Sequence, residues 1–79
     1  MVELKKILSD IAKGIVDSPD DVVVTEEVDE DGDLVLILSV APDDMGKVIG
    51  KHGKIARAIR LVIKSASTIT KQRVTVEIR

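Results

Sequence analysis

The chain has 79 residues, enough for one small domain and too few for a deep enclosed pocket. It contains no cysteine and one histidine, which excludes disulfides, thiolate chemistry and metal sites built from cysteine or histidine clusters. The net charge of −2 conceals a segregation of charge, because residues 17–44 carry many acids and no lysine or arginine. Residues 45–79 carry nine basic residues and one acid, Glu77, so this part of the chain offers a positive surface.

The first half of the sequence predicts a helix followed by two strands. Residues 2–15 place apolar side chains at helical spacing. Residues 22–28 are rich in β-branched residues and residues 34–40 form a continuous apolar run, which predicts an antiparallel pair with the second strand in a central position. The acidic turn between them contains Asp31-Gly32, a strong hairpin signal, and lacks the later glutamate of a calcium-binding EF-hand. A polar hairpin tip is therefore favoured over a calcium site.

The second half predicts two helices and a final strand. Pro42 opens a short helix over residues 43–49, which Gly50 ends, and a longer helix follows over residues 54–67. The spacing predicts that the long helix buries Ile55, Ala58, Ile59, Val62, Ile63 and Ala66, with Arg57, Arg60 and Lys64 opposite. Alternation over residues 73–79 predicts a third strand. Residues 1–79 are thus expected to form a single α+β domain, a two-layer sandwich with three helices on one face of a three-stranded sheet.

Two glycines enclose a basic pair in the segment Gly50-Lys51-His52-Gly53. A nucleotide-binding P-loop needs four residues between its glycines, and the Rossmann pattern needs a glycine where Val48 stands, so neither phosphate loop matches. A tight turn between two helices would explain the glycines, but not the basic residues around them. A clamp for single-stranded nucleic acid explains both, because residues without Cβ let a sugar–phosphate chain approach the loop amides.

The sequence VIGKHGKIARAI, residues 48–59, resembles the Val-Ile-Gly-x-x-Gly-x-x-Ile signature of the KH domain, which clamps about four nucleotides with its GXXG loop. The predicted order αββααβ resembles the type II KH fold, and the whole chain resembles the bacterial KhpA (YlqC) family of RNA-binding proteins. The resemblance implies a cytoplasmic RNA chaperone with no cofactor, which acts with a second KH protein of the KhpB (Jag) type. It further implies links to cell elongation and cell-wall formation, and self-association as a homodimer.

Carried over by position, the resemblance implies an RNA site built from the loop and the side chains beside it. The site residues are Lys47, Val48, Ile49, Gly50, Lys51, His52, Gly53, Lys54, Ile55 and Arg57. In this site Lys51 and Lys54 contact phosphates, while Val48, Ile49 and Ile55 shape a groove. A position in the core is an equal alternative for these three apolar residues, and for Ile55 it is the favoured one. His52 is either a third contact, whose charge can change near neutral pH, or a solvated polar residue.

Other functional classes have less support. The lack of aromatic residues argues against base-stacking platforms, though not against a KH clamp, and no arrangement brings a base to a nucleophile, so a non-enzymatic protein is expected. The second hypothesis is a protein-interaction or dimerisation module with weak or partner-supplied RNA binding, and Leu61, Val35 and Ile37 are candidates for its contact. No segment has the length and apolarity of a membrane span, and the first residues do not match a signal peptide, which predicts a cytoplasmic protein.

Overall fold

A computed structural model describes residues 3–79 and has the predicted element order αββααβ. The helices are α1 (Leu4–Lys13), α2 (Met45–Ile49) and α3 (Lys54–Thr70), and the strands are β1 (Val23–Val28), β2 (Leu34–Ser39) and β3 (Val74–Ile78). Short 3₁₀ turns lie at Pro19–Asp21, Pro42–Asp44 and Lys51–Gly53. Val2, the predicted start of the first helix, lies outside the described residues. Within the described part of the chain, no helix combines the length and apolarity needed to cross a membrane.

β2 is the central strand of the sheet, as its continuous apolar run predicts. β1 pairs with it antiparallel, with Val24 opposite Leu38, which confirms the predicted hairpin. β3 pairs with β2 in parallel, with Val76 opposite Leu36. A parallel neighbour requires a long crossover connection, and the two helices α2 and α3 supply it. The loop between these helices therefore lies at the helical layer, within the crossover.

The helices pack on the sheet around a core made only of aliphatic side chains, which confirms the predicted two-layer α+β fold. The largest fully buried apolar side chains are Leu8, Leu36, Leu38, Val48 and Ile63. Ile37 alternates to the other face of β2 and is nevertheless buried. It therefore offers little surface to the subunit contact for which the sequence made it a candidate.

α3 buries a different face from the one that its sequence predicts. Its buried residues are Ala56, Ile59, Ile63 and Ser67. Ile55, Ala58 and Val62 were predicted to be buried, but the structure leaves all three exposed. The physical reason is that apolar residues cover a wider arc of this helix than the sheet can cover, so periodicity fits more than one face. The small side chains of Ala56 and Ser67 turn toward the core and let the helix lie close to its neighbours.

α3 also continues to Thr70, three residues beyond the predicted end at Ser67. The Ser67 hydroxyl donates to the carbonyl of Lys64 at 2.7 Å, and the Thr70 hydroxyl donates to the carbonyl of Ser67 at 2.9 Å. These bonds satisfy polar side chains within the helix, so the run of serine and threonine does not end it. The helix ends at Lys71, whose backbone is left-handed, with φ of 56°.

Candidate nucleic-acid interface

The connection between α2 and α3 requires glycine at position 50 for two independent reasons. Gly50 has φ of 75° and ψ of 172°, a backbone conformation that is essentially restricted to glycine. A Cβ at Gly50 would also lie 2.9 Å from the Cβ of Ile55 and 3.0 Å from its backbone nitrogen. Gly53 has φ of 72°, but the space that its Cβ would occupy is open. Gly53 is therefore needed for its backbone conformation alone.

Hydrogen bonds define the shape of the loop between the two glycines. The Gly53 N–H donates to the carbonyl of Gly50 at 3.1 Å, and the Lys54 N–H donates to the carbonyl of Lys51. His52 lies between these bonds in a left-handed conformation, with φ of 58° and ψ of 25°. On the other side, the guanidinium of Arg57 donates to the carbonyl of His52, and its Nε donates to the carbonyl of Gly53 at 3.5 Å. The loop is thus held from both sides.

The side chains that surround this loop are basic and exposed. Lys51, His52 and Lys54 all lie at the surface, and none of them forms an ion pair with any of residues 3–79. After Asp44 the next acidic residue in the chain is Glu77. The charge of the loop is therefore not neutralised by the segments adjoining it, and the local potential favours an anionic ligand.

Two of the residues expected at the site have other positions. Val48 is fully buried, which favours the core position over the groove surface among the two alternatives that the sequence left open. The reason is that α2 is a single short turn, in which consecutive residues point about 100° apart, so that Ile49 faces outward when Val48 faces inward. Lys47 forms ion pairs with Asp17 and, at 3.4 Å, with Asp44. Its charge is thus balanced by acids at the opposite end of α2 from the loop.

Ile49 and Ile55 remain partly accessible beside the loop, at 39% and 38% exposure. The core position that the sequence favoured for Ile55 is wrong. α3 packs with Ala56 facing the core, so Ile55, the residue before it, remains at the surface. Ile55 packs against the backbone of Gly50 instead. The two isoleucines form a small apolar surface next to the basic loop.

Asp44, at the start of α2, binds the segment that follows α1, and the sequence does not predict this contact. Its side chain is only 1% exposed and accepts backbone N–H bonds from Asp17 at 3.2 Å and Ser18 at 3.1 Å. Burial raises the pKa of Asp44, but these amide bonds and the bond from Lys47 outweigh burial and hold the pKa below its usual value. The same network raises the pKa of Lys47, chiefly through its hydrogen bond with Asp17. No local pattern in the sequence indicates this contact, because Asp44 is 27 positions from Asp17 and 26 positions from Ser18.

The basic residues farther along α3 lie beside β3. Arg60, expected to project into solvent, instead donates from Nε to the outward carbonyl of Val76 at 3.3 Å. Beyond it, Lys64, Lys71 and Arg73 line an open groove of about 650 Å³. Asp33 also lines this groove and pairs with Arg73 at 4.0 Å, so the groove is basic on balance through Lys64 and Lys71.

The acidic hairpin tip brings three carboxylates together. Oxygens of Asp29, Asp31 and Asp33 lie within 4.8 Å of one another. Asp29 Oδ1 accepts the backbone N–H groups of Asp31 and Asp33, each at 2.9 Å. This is the bonding of an Asx turn, which agrees with the predicted polar hairpin tip.

Comparison with known proteins gives matches over nearly the whole chain. A family model described as "KhpA/KhpB, KH domain" matches residues 5–78. The protein named "RNA-binding protein KhpA" from Clostridium acetobutylicum is 55% identical over 75 residues, which cover 95% of this chain and 99% of that protein. The protein of the same name from Clostridium perfringens is 49% identical over 75 residues, with the same coverage.

A solved structure shares the fold at low sequence identity. The crystal structure of Era from Aquifex aeolicus matches with a TM-score of 0.63 and 17% identity. The match covers 95% of this chain and 29% of that one. The similarity to known proteins therefore extends to every helix and strand described above, and is not limited to the glycine loop.

Proposed function

The chain belongs to the KhpA/KhpB KH-domain family, and from this premise we propose that it binds single-stranded RNA through the Gly50–Gly53 loop. Membership confirms the family resemblance that residues 48–59 predict. The observation that carries the proposal is the loop itself, in which two glycines with positive φ lie among exposed basic side chains that pair with no acid of residues 3–79. The name of these relatives, "RNA-binding protein KhpA", supports the same ligand.

The loop recognises the RNA backbone. The amides of Lys51 and His52 open a helical turn and so have no partner within it, which leaves them free to donate to a phosphate. Gly50 and Gly53 have no side chains to keep the phosphate away, and Lys51 and Lys54 add positive charge. His52 is a third polar contact. Such contacts supply affinity that falls with salt, and they carry no base specificity.

The apolar surface beside the loop receives the bases. Ile49 and Ile55 are accessible there and offer aliphatic contacts to unstacked bases, in the absence of aromatic platforms. Lys47 and Val48 are left out of the proposed contact surface, since the first is ion-paired with acids and the second is buried. The groove lined by Lys64 and Lys71 continues the positive surface for longer strands.

The biological part of the proposal rests on the family resemblance. We propose that the protein is a non-enzymatic RNA chaperone of the cytoplasm, that it works with a KhpB/Jag-like KH protein, and that it contributes to post-transcriptional control of cell elongation and cell-wall formation. The proposal includes no catalytic step and no cofactor. A pull-down with the KhpB-type protein of the same organism, with and without ribonuclease, tests the partnership, and loss of co-purification in both cases would contradict it.

The test of RNA binding compares the native chain with the double variant Lys51→Asp/His52→Asp. Short single-stranded RNA is titrated at several salt concentrations, and circular dichroism checks that each protein is folded. We expect the variant to bind at least about tenfold more weakly, since a phosphate contact is a charge-assisted hydrogen bond. The matched control, Lys5→Gln/Lys13→Asp, makes the same change in charge on the exposed face of α1. A folded double variant that binds like the native chain would refute the clamp.

A second candidate function is self-association, and an exposed apolar surface on α3 favours it. Leu61, Val62 and Ile69 are between 47% and 74% exposed on the side of α3 that faces away from the sheet. Contiguous apolar residues at a surface are typical of protein contacts. This surface fits the dimerisation module that the sequence left as the alternative, as a homodimer or with a KhpB-like partner.

Light scattering over a range of concentrations tests the dimer. We expect the native mass to approach twice the chain mass, and Leu61→Glu/Ile69→Lys to remain at 8.6 kDa. The exchange changes no net charge, so any difference reflects the apolar surface. A native chain that stays monomeric at all concentrations would exclude self-association and leave the RNA proposal unaffected.

A further inference from the structure

One loop residue, His52, has a left-handed backbone conformation that is unfavourable for a residue with a Cβ. Three of the four loop residues, Gly50, His52 and Gly53, have positive φ. Glycine adopts such angles freely, whereas a residue with a Cβ needs support from its surroundings. His52 is therefore the position at which the loop requires an interaction from outside to keep its shape.

Two carbonyl oxygens of the loop point away from its internal hydrogen bonds. A peptide group points its N–H and C=O in opposite directions. The N–H groups of Gly53 and Lys54 turn inward to the carbonyls of Gly50 and Lys51. The C=O groups of the same two peptides, which belong to His52 and Gly53, must then point the other way. The carbonyl of Gly53 is the N-cap acceptor that opens the hydrogen-bond ladder of α3, whereas the carbonyl of His52 lies one residue before it.

Arg57 lies where these two carbonyls point. It is exposed on the first turn of α3, and its guanidinium donates to the carbonyl of His52 while its Nε donates to the carbonyl of Gly53. No acid among residues 3–79 pairs with Arg57. The planar fork of an arginine can bridge two such acceptors, and a lysine cannot do this with one ammonium group in the same geometry.

We propose that Arg57 is a positioning residue of the RNA site, and that it does not itself hold a phosphate. By donating to the carbonyls of His52 and Gly53, it supports the left-handed conformation at His52 and so keeps the loop amides in position for a phosphate. The inference rests on the proposed RNA-binding function. It replaces the direct RNA contact that the sequence predicted for Arg57.

The first test keeps the charge and removes the fork. Arg57→Lys binds single-stranded RNA about five- to tenfold more weakly than the native chain, because a smaller fraction of molecules holds the loop in its binding shape. The matched control is Arg79→Lys, which makes the same exchange beside Glu77, and it binds like the native chain. If Arg57→Lys binds with native affinity, the positive charge alone is sufficient and the inference is wrong.

The second test separates positioning from phosphate contact by salt dependence. Loss of one phosphate contact to a single strand reduces the slope of log K against log salt by about 0.7. Arg57→Gln is expected to lower affinity and leave the slope unchanged, whereas Lys51→Gln lowers both. A slope reduced by about 0.7 in Arg57→Gln would identify a phosphate contact and overturn the inference.

The third test concerns the coupling to His52 and needs no RNA. NMR spectra of the free proteins are compared at the amides of Gly50 and Gly53. We expect Arg57→Gln to shift and broaden these signals, and His52→Gly in the same chain to reduce the broadening, because glycine accepts the left-handed conformation unaided. In binding assays, the affinity lost on Arg57→Gln is likewise smaller in the His52→Gly background.

The outcomes distinguish failure of the proposed RNA binding from failure of the role assigned to Arg57. If the native chain binds no RNA, the proposed function fails, and the loop spectra still decide whether Arg57 fixes the loop. If the native chain binds RNA but the loop spectra of Arg57→Gln are unchanged and His52→Gly restores nothing, the inference about Arg57 fails and RNA binding stands.

Discussion

Replacing the two loop glycines by alanine should have clearly unequal effects. At position 50 a Cβ meets the side chain and backbone of Ile55, and the backbone angles are restricted to glycine. The conformational cost is about 1–3 kcal/mol and the steric cost is about 1–3 kcal/mol, so Gly50→Ala should lower the free energy of unfolding by about 2–6 kcal/mol. At position 53 only the left-handed conformation is unfavourable, and Gly53→Ala should cost about 1 kcal/mol.

These losses are large against the stability of so small a domain, which is about 4–12 kcal/mol for 79 residues. Urea unfolding followed by circular dichroism measures both variants, with the free energies extrapolated linearly to water. Equal midpoints for Gly50→Ala and Gly53→Ala, or a milder effect at position 50, would refute the argument from the loop geometry.

A double-mutant cycle isolates the contribution of the Ile55 side chain beyond its Cβ. In an Ile55→Ala background the collision with those outer atoms is removed, while the close contacts with the Cβ and backbone nitrogen of residue 55 and the unfavourable backbone angles remain. Gly50→Ala should therefore cost about 1 kcal/mol less in that background than in the native chain. Strict additivity of the two substitutions would show that the outer atoms of Ile55 do not limit the residue at position 50.

Three further predictions concern the framework of the site. The pKa of Asp44 is lower in the folded protein than its usual value of 3.8, so its contribution to stability is present above pH 3.8 and is lost as pH falls through the lowered pKa. Asp44→Asn should therefore be less stable than the native chain at neutral pH. Urea midpoints measured from pH 7 to pH 2 should also fall less in this variant than in the native chain. Val48→Ala should lower the free energy of unfolding by about 2–3 kcal/mol, and the exposed control Val28→Ala should lower it by less than about 1 kcal/mol in the same assay. Similar losses of stability in the two variants would contradict the burial of Val48. His52→Asn should leave stability within about 0.5 kcal/mol, whereas His52→Val should lower it by about 1–2 kcal/mol, and equal unfolding midpoints for the two would exclude a left-handed residue 52.

Local patterns were sufficient for the order of the elements and for the loop. The alternation of the strands, the helical spacing in α1 and the Asp31-Gly32 turn are all properties of short segments, and each produced the element that it predicts. The GXXG segment could be identified for the same reason, since the backbone angles of Gly50 and Gly53 are requirements of a few adjacent residues. The central position of β2 followed from its composition, because a strand with a neighbour along each edge keeps even its outward-facing side chains, such as Ile37, largely out of water.

Only the tertiary structure decided which side of each helix is covered and which charges are paired. The spacing of apolar residues in α3 is compatible with several buried faces. The face that packs on the core includes Ala56 and Ser67, and this leaves Ile55 beside the loop. Lys47 is a surface lysine by its local sequence, but the fold brings Asp17 to it from 30 positions away. Arg57 likewise looks like a phosphate ligand until the direction of two carbonyls is known. A local sequence specifies which conformations a segment prefers, whereas burial and pairing depend on groups that only the packed layers bring together.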